Sequence, residues 1–94
     1  MVLEIAVFTV KPGHAEQFAA AYAQAREVIL DSPGCRAARM TRGVEDADRF
    51  TLLVEWETLE AHLEGFRASE GFTRWRALIG PHFDSVDMRH ATDL

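Results

Sequence analysis

Asparagine is absent from this chain, and lysine and cysteine occur once each, at Lys11 and Cys35. That absence excludes every mechanism that needs an Asn amide to orient or stabilise a reacting oxygen. Lys11 stands directly before Pro12-Gly13 and reads as exposed turn, which leaves no credible Schiff-base lysine. A lone cysteine makes no internal disulfide. The net charge is −5 and no run of Lys or Arg stands out, so there is no footprint for nucleic-acid phosphates or an anionic lipid surface. The opening MVLEIAVFTV has neither a basic segment nor the length of a membrane span, and the expectation is a cytoplasmic chain with no membrane partner.

What is present is an ordinary globular composition, 48% hydrophobic and 27% charged over 94 residues. That makes one domain, 1–94, near the lower size limit for a self-sufficient core. Residues 2–10 are apolar on both alternating faces, which predicts a strand covered on both sides. After Lys11-Pro12-Gly13, the residues Phe18, Tyr22, Ala25 and Ile29 recur at helical spacing between His14 and Asp31. Ser32-Pro33-Gly34 ends that helix. Residues 35–43 and 49–56 predict a hairpin, with Phe50, Leu52, Val54 and Trp56 sharing one strand face.

Thr58 reads as the N-cap of a second helix with Leu59, Leu63 and Phe66 on its inner side and His62 at the border. Ser69 caps a further turn whose apolar face is Phe72, Trp75 and Ile79, closed by Gly80-Pro81. Residues 83–90 predict a last strand, with Val86, Met88 and His90 on one face and a fraying end beyond. The order is βαββαβ, an α+β ferredoxin-like unit with one four-stranded antiparallel sheet. Helices cover only one side of such a sheet. The apolar residues on its other side therefore predict a homodimer packed sheet face to sheet face.

Lys11-Pro12-Gly13, the Pro33-Gly34-Cys35 turn and Val54-Glu55-Trp56-Glu57 carry a resemblance, extended by Ala61-His62, Phe66-Arg67, Ser69, Phe72, Trp75-Arg76, Leu78 and Gly80-Pro81. On these residues the chain resembles the antibiotic biosynthesis monooxygenase domain of the dimeric α+β barrel superfamily. The resemblance implies a monooxygenase that needs no metal or flavin and oxidises a small aromatic, phenolic or quinol-type compound with O2. It further implies one base, hydrogen-bond donors and aromatic walls. His62 would be the base and Arg76 the group stabilising the anion, with His82 as a further donor. Trp56, Phe66, Phe72, Trp75 and Phe83 would form the walls. The chain departs from members whose site uses an Asn, and from the haem-degrading branch, because the corresponding positions hold no Asn, Phe66 and Arg76. The alternative function is a non-catalytic small-molecule-binding or stress-associated dimer of the same fold.

Each candidate also has a plainer role. A histidine beside an apolar stripe can be a packing residue, and large aromatics in a small domain usually fill its core. What favours a site is clustering: His62, three aromatics and Arg76 fall on one broken helix, more than a thin core layer absorbs, which predicts a cleft between helix and sheet. Arg67 and Arg74 read as solvent-facing charges, His14 as solvated, and His90 as a residue near the chain end. Cys35 reads as a small buried hydrophobe and Ser69 as a helix cap. His62, His82, Asp84 and Glu55 lack the short regular spacing of a metal motif, so no metal is expected.

Overall fold

The nine residues of β1 (Val2–Val10) occupy an interior position of the sheet, and their alternation sorts them onto two faces. Glu4, Ala6, Phe8 and Val10 are buried on one, while Leu3, Ile5 and Val7 are half-buried on the other. The computed structural model describes Met1–Leu94. Beyond β1 the chain forms α1 (Ala15–Leu30), β2 (Cys35–Arg42), β3 (Arg49–Trp56), a π-helical turn (Ala61–Phe66), α2 (Glu70–Ile79), a short 3-10 turn (Gly80–His82) and β4 (Phe83–Ala91). The strands lie in the order β2-β3-β1-β4 with every neighbour antiparallel, the expected ferredoxin-like sheet. No helix is long and apolar enough to cross a membrane.

Both helices lie on the Glu4–Val10 side. From α1, Ala15, Phe18, Ala25 and Ile29 are buried against Phe50, Leu52, Val54 and Trp56 of β3 and the core residues of β1. Tyr22, predicted in the same stripe, sits at its border and meets Trp75 edge-on at 6.2 Å between ring centroids. Gly34, at φ +86°, turns the chain from α1 into β2 in a backbone region that disfavours side chains. A Cβ there would stand 2.7 Å from Cβ of Ala61, so glycine also allows the π-helical turn to seat against this corner.

The second helical segment differs from its prediction. His62 and Phe66 point inward and are 2% exposed, whereas Leu59 and Leu63, expected on the inner side, are 37% and 36% exposed. Between Ala61 and Phe66 the backbone winds wider than an α-helix, with the Arg67 N–H donating to the His62 carbonyl at 3.2 Å. Phe66 still reaches the core, but the other inner position goes to a histidine, because buried polar partners await it there.

Candidate functional site

Those partners come from the sheet. In β1, Glu4 lies opposite Val54 and opposite His90 of β4, so the carboxyl, the Trp56 indole and the His90 ring share the helix-facing side. The π-helical turn lowers His62 onto them. Trp56 Nε1–H donates to Glu4 Oε1 at 2.9 Å, and His62 Nε2 stands 3.3 Å from the same oxygen. His62 Nδ1 and His90 Nε2 are 2.8 Å apart. The His62 ring lies nearly parallel to the indole of Trp56, with centroids at 5.1 Å. Glu4 and Trp56 are as deeply buried as His62, while His90 is half-buried. One line of close polar contacts therefore runs from the core to the edge strand, hydrogen-bonded between Trp56 and Glu4 and between His62 and His90.

Burial sets the ionisation of this chain. It pushes the Glu4 carboxyl above the usual carboxylate range, opposed by the Trp56 hydrogen bond and the charge of Arg67. It pushes His62 down to about 4, helped by Arg67 and by His90. His90 is lowered too, first by burial and then by Arg67. His62 is therefore neutral near pH 7.

Beside this chain, α2 and β4 stand apart. Ser69 caps α2 as predicted, its Oγ accepting from the Phe72 N–H at 3.2 Å while its hydroxyl donates to the Phe66 carbonyl at 2.6 Å. The helix drives Trp75 and Ile79 into the core but leaves β4 only partly covered, with Val86 40% exposed. The gap is a cleft of about 340 Å³, at the low end of volumes for small-molecule sites. Phe8, Phe72, Trp75, Ile79 and Phe83 form its aromatic and aliphatic walls, and Val86 and Met88 line it from β4. Arg67 and Arg76 are its two polar residues, and no carboxylate lines it. Arg67 Nη2–H points at Met88 Sδ at 3.0 Å, and the Arg76 guanidinium lies 5.9 Å from the Phe72 ring centroid.

Of the site residues predicted from sequence, the cleft gathers Phe72, Trp75, Arg76 and Phe83. Trp56, Phe66 and His62 are buried and line none of it; Phe66 stands between the polar chain and the cleft, packed on Trp56, Phe72 and Trp75. His82 is elsewhere, 3.1 Å from His14, so His14 is half-buried and paired rather than solvated. Arg67, read as a solvent-facing charge, faces the cleft because the π-helical turn ends beside β4. His90, set aside as near the chain end, is held by β4, which continues to Ala91. Glu4 was missed entirely. Its signal was its phase: an acid in step with Ala6, Phe8 and Val10 had to be buried with them and needed a partner.

Comparison with known proteins agrees with this architecture. The family model described as antibiotic biosynthesis monooxygenase matches residues 1–78. The uncharacterized protein YczJ of Bacillus subtilis (strain 168) is 39% identical over 79 residues, covering 84% of this chain and 83% of YczJ. A crystal structure of the same family designation from Bordetella bronchiseptica is 36% identical with a TM-score of 0.95, covering 99% of this chain and 96% of that one. SnoaB of Streptomyces nogalater, a cofactor-independent oxygenase, shares the fold at 19% identity, with a TM-score of 0.83 over 99% of this chain and 92% of its own. A family match over most of the chain, joined to the four-stranded sheet and its one-sided helix layer, makes this protein a member of the antibiotic biosynthesis monooxygenase family.

Proposed function

We propose that the protein is a cofactor-independent monooxygenase of a small aromatic, phenolic or quinol-type compound held between α2 and β4. The observation that carries this reading is the lining of the cleft: aromatic walls with two arginines and no carboxylate beside them. Apolar walls favour a flat ring and keep water away from a reactive anion, and a guanidinium stabilises the negative charge that appears when the ring system loses a proton. The activity described for SnoaB, on the same fold, points the same way.

In this reaction a proton leaves the substrate and the electron pair stays on the ring system as a carbanion. That carbanion bonds to O2 and gives it two electrons, forming a hydroperoxide; the second hydrogen on the same carbon then leaves as a proton, and its bonding pair forms the carbonyl and breaks the O–O bond, supplying the other two electrons. One oxygen atom remains on carbon and the other leaves as water. The chain's own residues exclude water, hold the anion beside Arg76 and Arg67, and accept the proton through the histidines of which His62 is the centre. We also propose that the protein works as a homodimer through the sheet face away from the helices. Leu3, Ile5, Val7 and Leu53 lie there with no helix over them. Leu53→Lys would then yield monomers by light scattering.

The test is oxygen uptake by metal-free protein with a panel of hydroquinones and polycyclic phenols, alongside Arg76→Ala. Uptake that falls at least about tenfold in the variant supports the reading. Binding without oxygen consumption for every compound overturns it in favour of a non-catalytic binding dimer.

A further inference from the structure

The cleft between α2 and β4 has an apolar floor and a cationic mouth. Phe8, Trp75 and Ile79 form the floor and are at most 5% exposed, whereas Arg67 and Arg76, which line the same space, are exposed. Elsewhere the chain matches arginines with its acidic residues: Arg36 pairs with Glu57, Arg42 with Glu16 and Arg89 with Asp87. Arg67 and Arg76 have no such partner. Arg67 reaches only Met88 Sδ, a weak acceptor, and Arg76 only the ring of Phe72. Glu4, whose carboxyl feels the charge of Arg67, is buried, bonded to Trp56 and absent from the cleft lining. What distinguishes Arg67 and Arg76 from the chain's other unpaired arginines is that both face one apolar cleft. Helix side chains lean towards the N-terminus, and Arg76 leans back over Phe72, one turn earlier, towards the end of α2 that follows Arg67. Two like charges at one mouth repel each other, and an anion between them turns that repulsion into attraction.

We propose that the ligand of this cleft is an aromatic carboxylic acid, bound as its carboxylate, with the ring system on the apolar floor and the carboxylate at the mouth between Arg67 and Arg76. This rests on the reading of the cleft as the substrate site, and it narrows the substrate to a phenol or quinol that also carries an acid group. A carboxylate is planar and accepts two parallel N–H bonds from a guanidinium, a match that an ammonium does not offer; both cations of the cleft are arginines. A neutral phenol fills the floor and leaves the mouth unmatched. The carboxylate is charged before any proton leaves the substrate, so its pairing with the arginines anchors the ring ahead of reaction and belongs to KM. Because the mouth is open to water, salt screens that pairing.

The test is a binding titration that involves no oxygen chemistry, following the Trp75 indole N–H by NMR with 2-naphthoate, its methyl ester and 2-naphthol. The acid is expected to bind at least about tenfold more tightly than the ester or the naphthol, an advantage that shrinks in high salt. Arg67→Gln and Arg76→Gln are each expected to reduce that advantage severalfold. Arg74→Gln, which removes the same charge from α2 outside the cleft, is expected to keep it. Equal affinities for acid and ester, no binding of the acid, or an advantage that survives both cleft variants overturns the proposal. Tighter binding of 2-naphthalenesulfonate, of the same charge but tetrahedral, overturns the choice of a carboxylate. Oxygen uptake separates this proposal from the reading beneath it. Turnover of hydroquinones with no preference for carboxylated ones overturns the acid and leaves the enzyme reading intact. Arginine-dependent binding of acids with no oxygen consumed overturns the enzyme reading and leaves the acid site.

Discussion

Glu4 and Phe8 lie four positions apart on the same face of β1, both are almost completely buried, and their surroundings have nothing in common. Phe8 belongs to an aromatic end of the core, with Phe18 at 5.4 Å and Phe83 at 4.9 Å between ring centroids and Phe50 behind Phe18. That end needs only the right volume. Glu4 belongs to a polar end in which every donor and acceptor depends on its neighbour, so the network is favourable when complete and costly when any member is lost. The difference teaches how a small domain divides its core. A small domain satisfies its need for apolar burial at one end and keeps hydrogen-bonded titratable groups at the other. The cleft opens along β4 between them, with Phe83 from the first and Met88 leading to His90 of the second.

The sharpest way to separate the two ends is by truncation. Phe18→Ala, at the aromatic end, is expected to cost about 3–5 kcal/mol in denaturant unfolding with no change in how stability depends on pH. At the polar end the pH dependence is the signature. His62, at about 4 in the folded chain against 6.5 for an ordinary histidine, stays neutral while the unfolded chain takes up its proton. Stability therefore falls as the pH drops from 6.5 towards 4, by up to about 3 kcal/mol. The raised carboxyl of Glu4 acts in the opposite sense, protonating in the folded chain before the unfolded one, and offsets part of the decline at the acid end. His62→Gln flattens the curve; a slope unchanged in that variant would mean that the two ends do not differ in this way.

Smaller effects fall outside both ends. Ser69→Ala removes the cap of α2 and is expected to lower stability by about 1 kcal/mol, read as a drop in Tm, while loosening the helix that bears Phe72, Trp75 and Arg76. Glu16→Gln breaks an ion pair with Arg42 in which the glutamate side chain is 82% exposed, and should change stability by less than about 0.5 kcal/mol.

Much of the fold was legible because periodicity reports which face a residue occupies. The alternation of Phe50, Leu52, Val54 and Trp56 and the stripe from Phe18 to Ile29 both appear in the core. The cleft was legible in part: His62, Phe66, Phe72, Trp75 and Arg76 on one broken helix predicted a cleft between helix and sheet, and a cleft is there, lined by Phe72, Trp75 and Arg76 but not by His62 or Phe66. Periodicity does not report neighbours. Val86 and Met88 join the cleft, and His90 joins Glu4, through the register of β4 on β1, which pairs opposite ends of the chain. The α-helical spacing assumed for residues 59–66 turned Leu63 inward and left His62 at the border, whereas the π-helical winding and the carboxyl of Glu4 together reverse them.

The central claim is that ligand chemistry belongs to the cleft between α2 and β4. Its most direct measurement is an NMR titration of the labelled protein with a hydroquinone, following the two indole N–H signals, the Nε–H signals of Arg67 and Arg76, and the amides of the outer sheet face. The account predicts that Trp75, Arg67 and Arg76 move together and saturate, with Trp56 moving less because Phe66 stands between it and the cleft. Shifts confined to Leu3, Ile5 and Leu53, with the cleft silent, would contradict it.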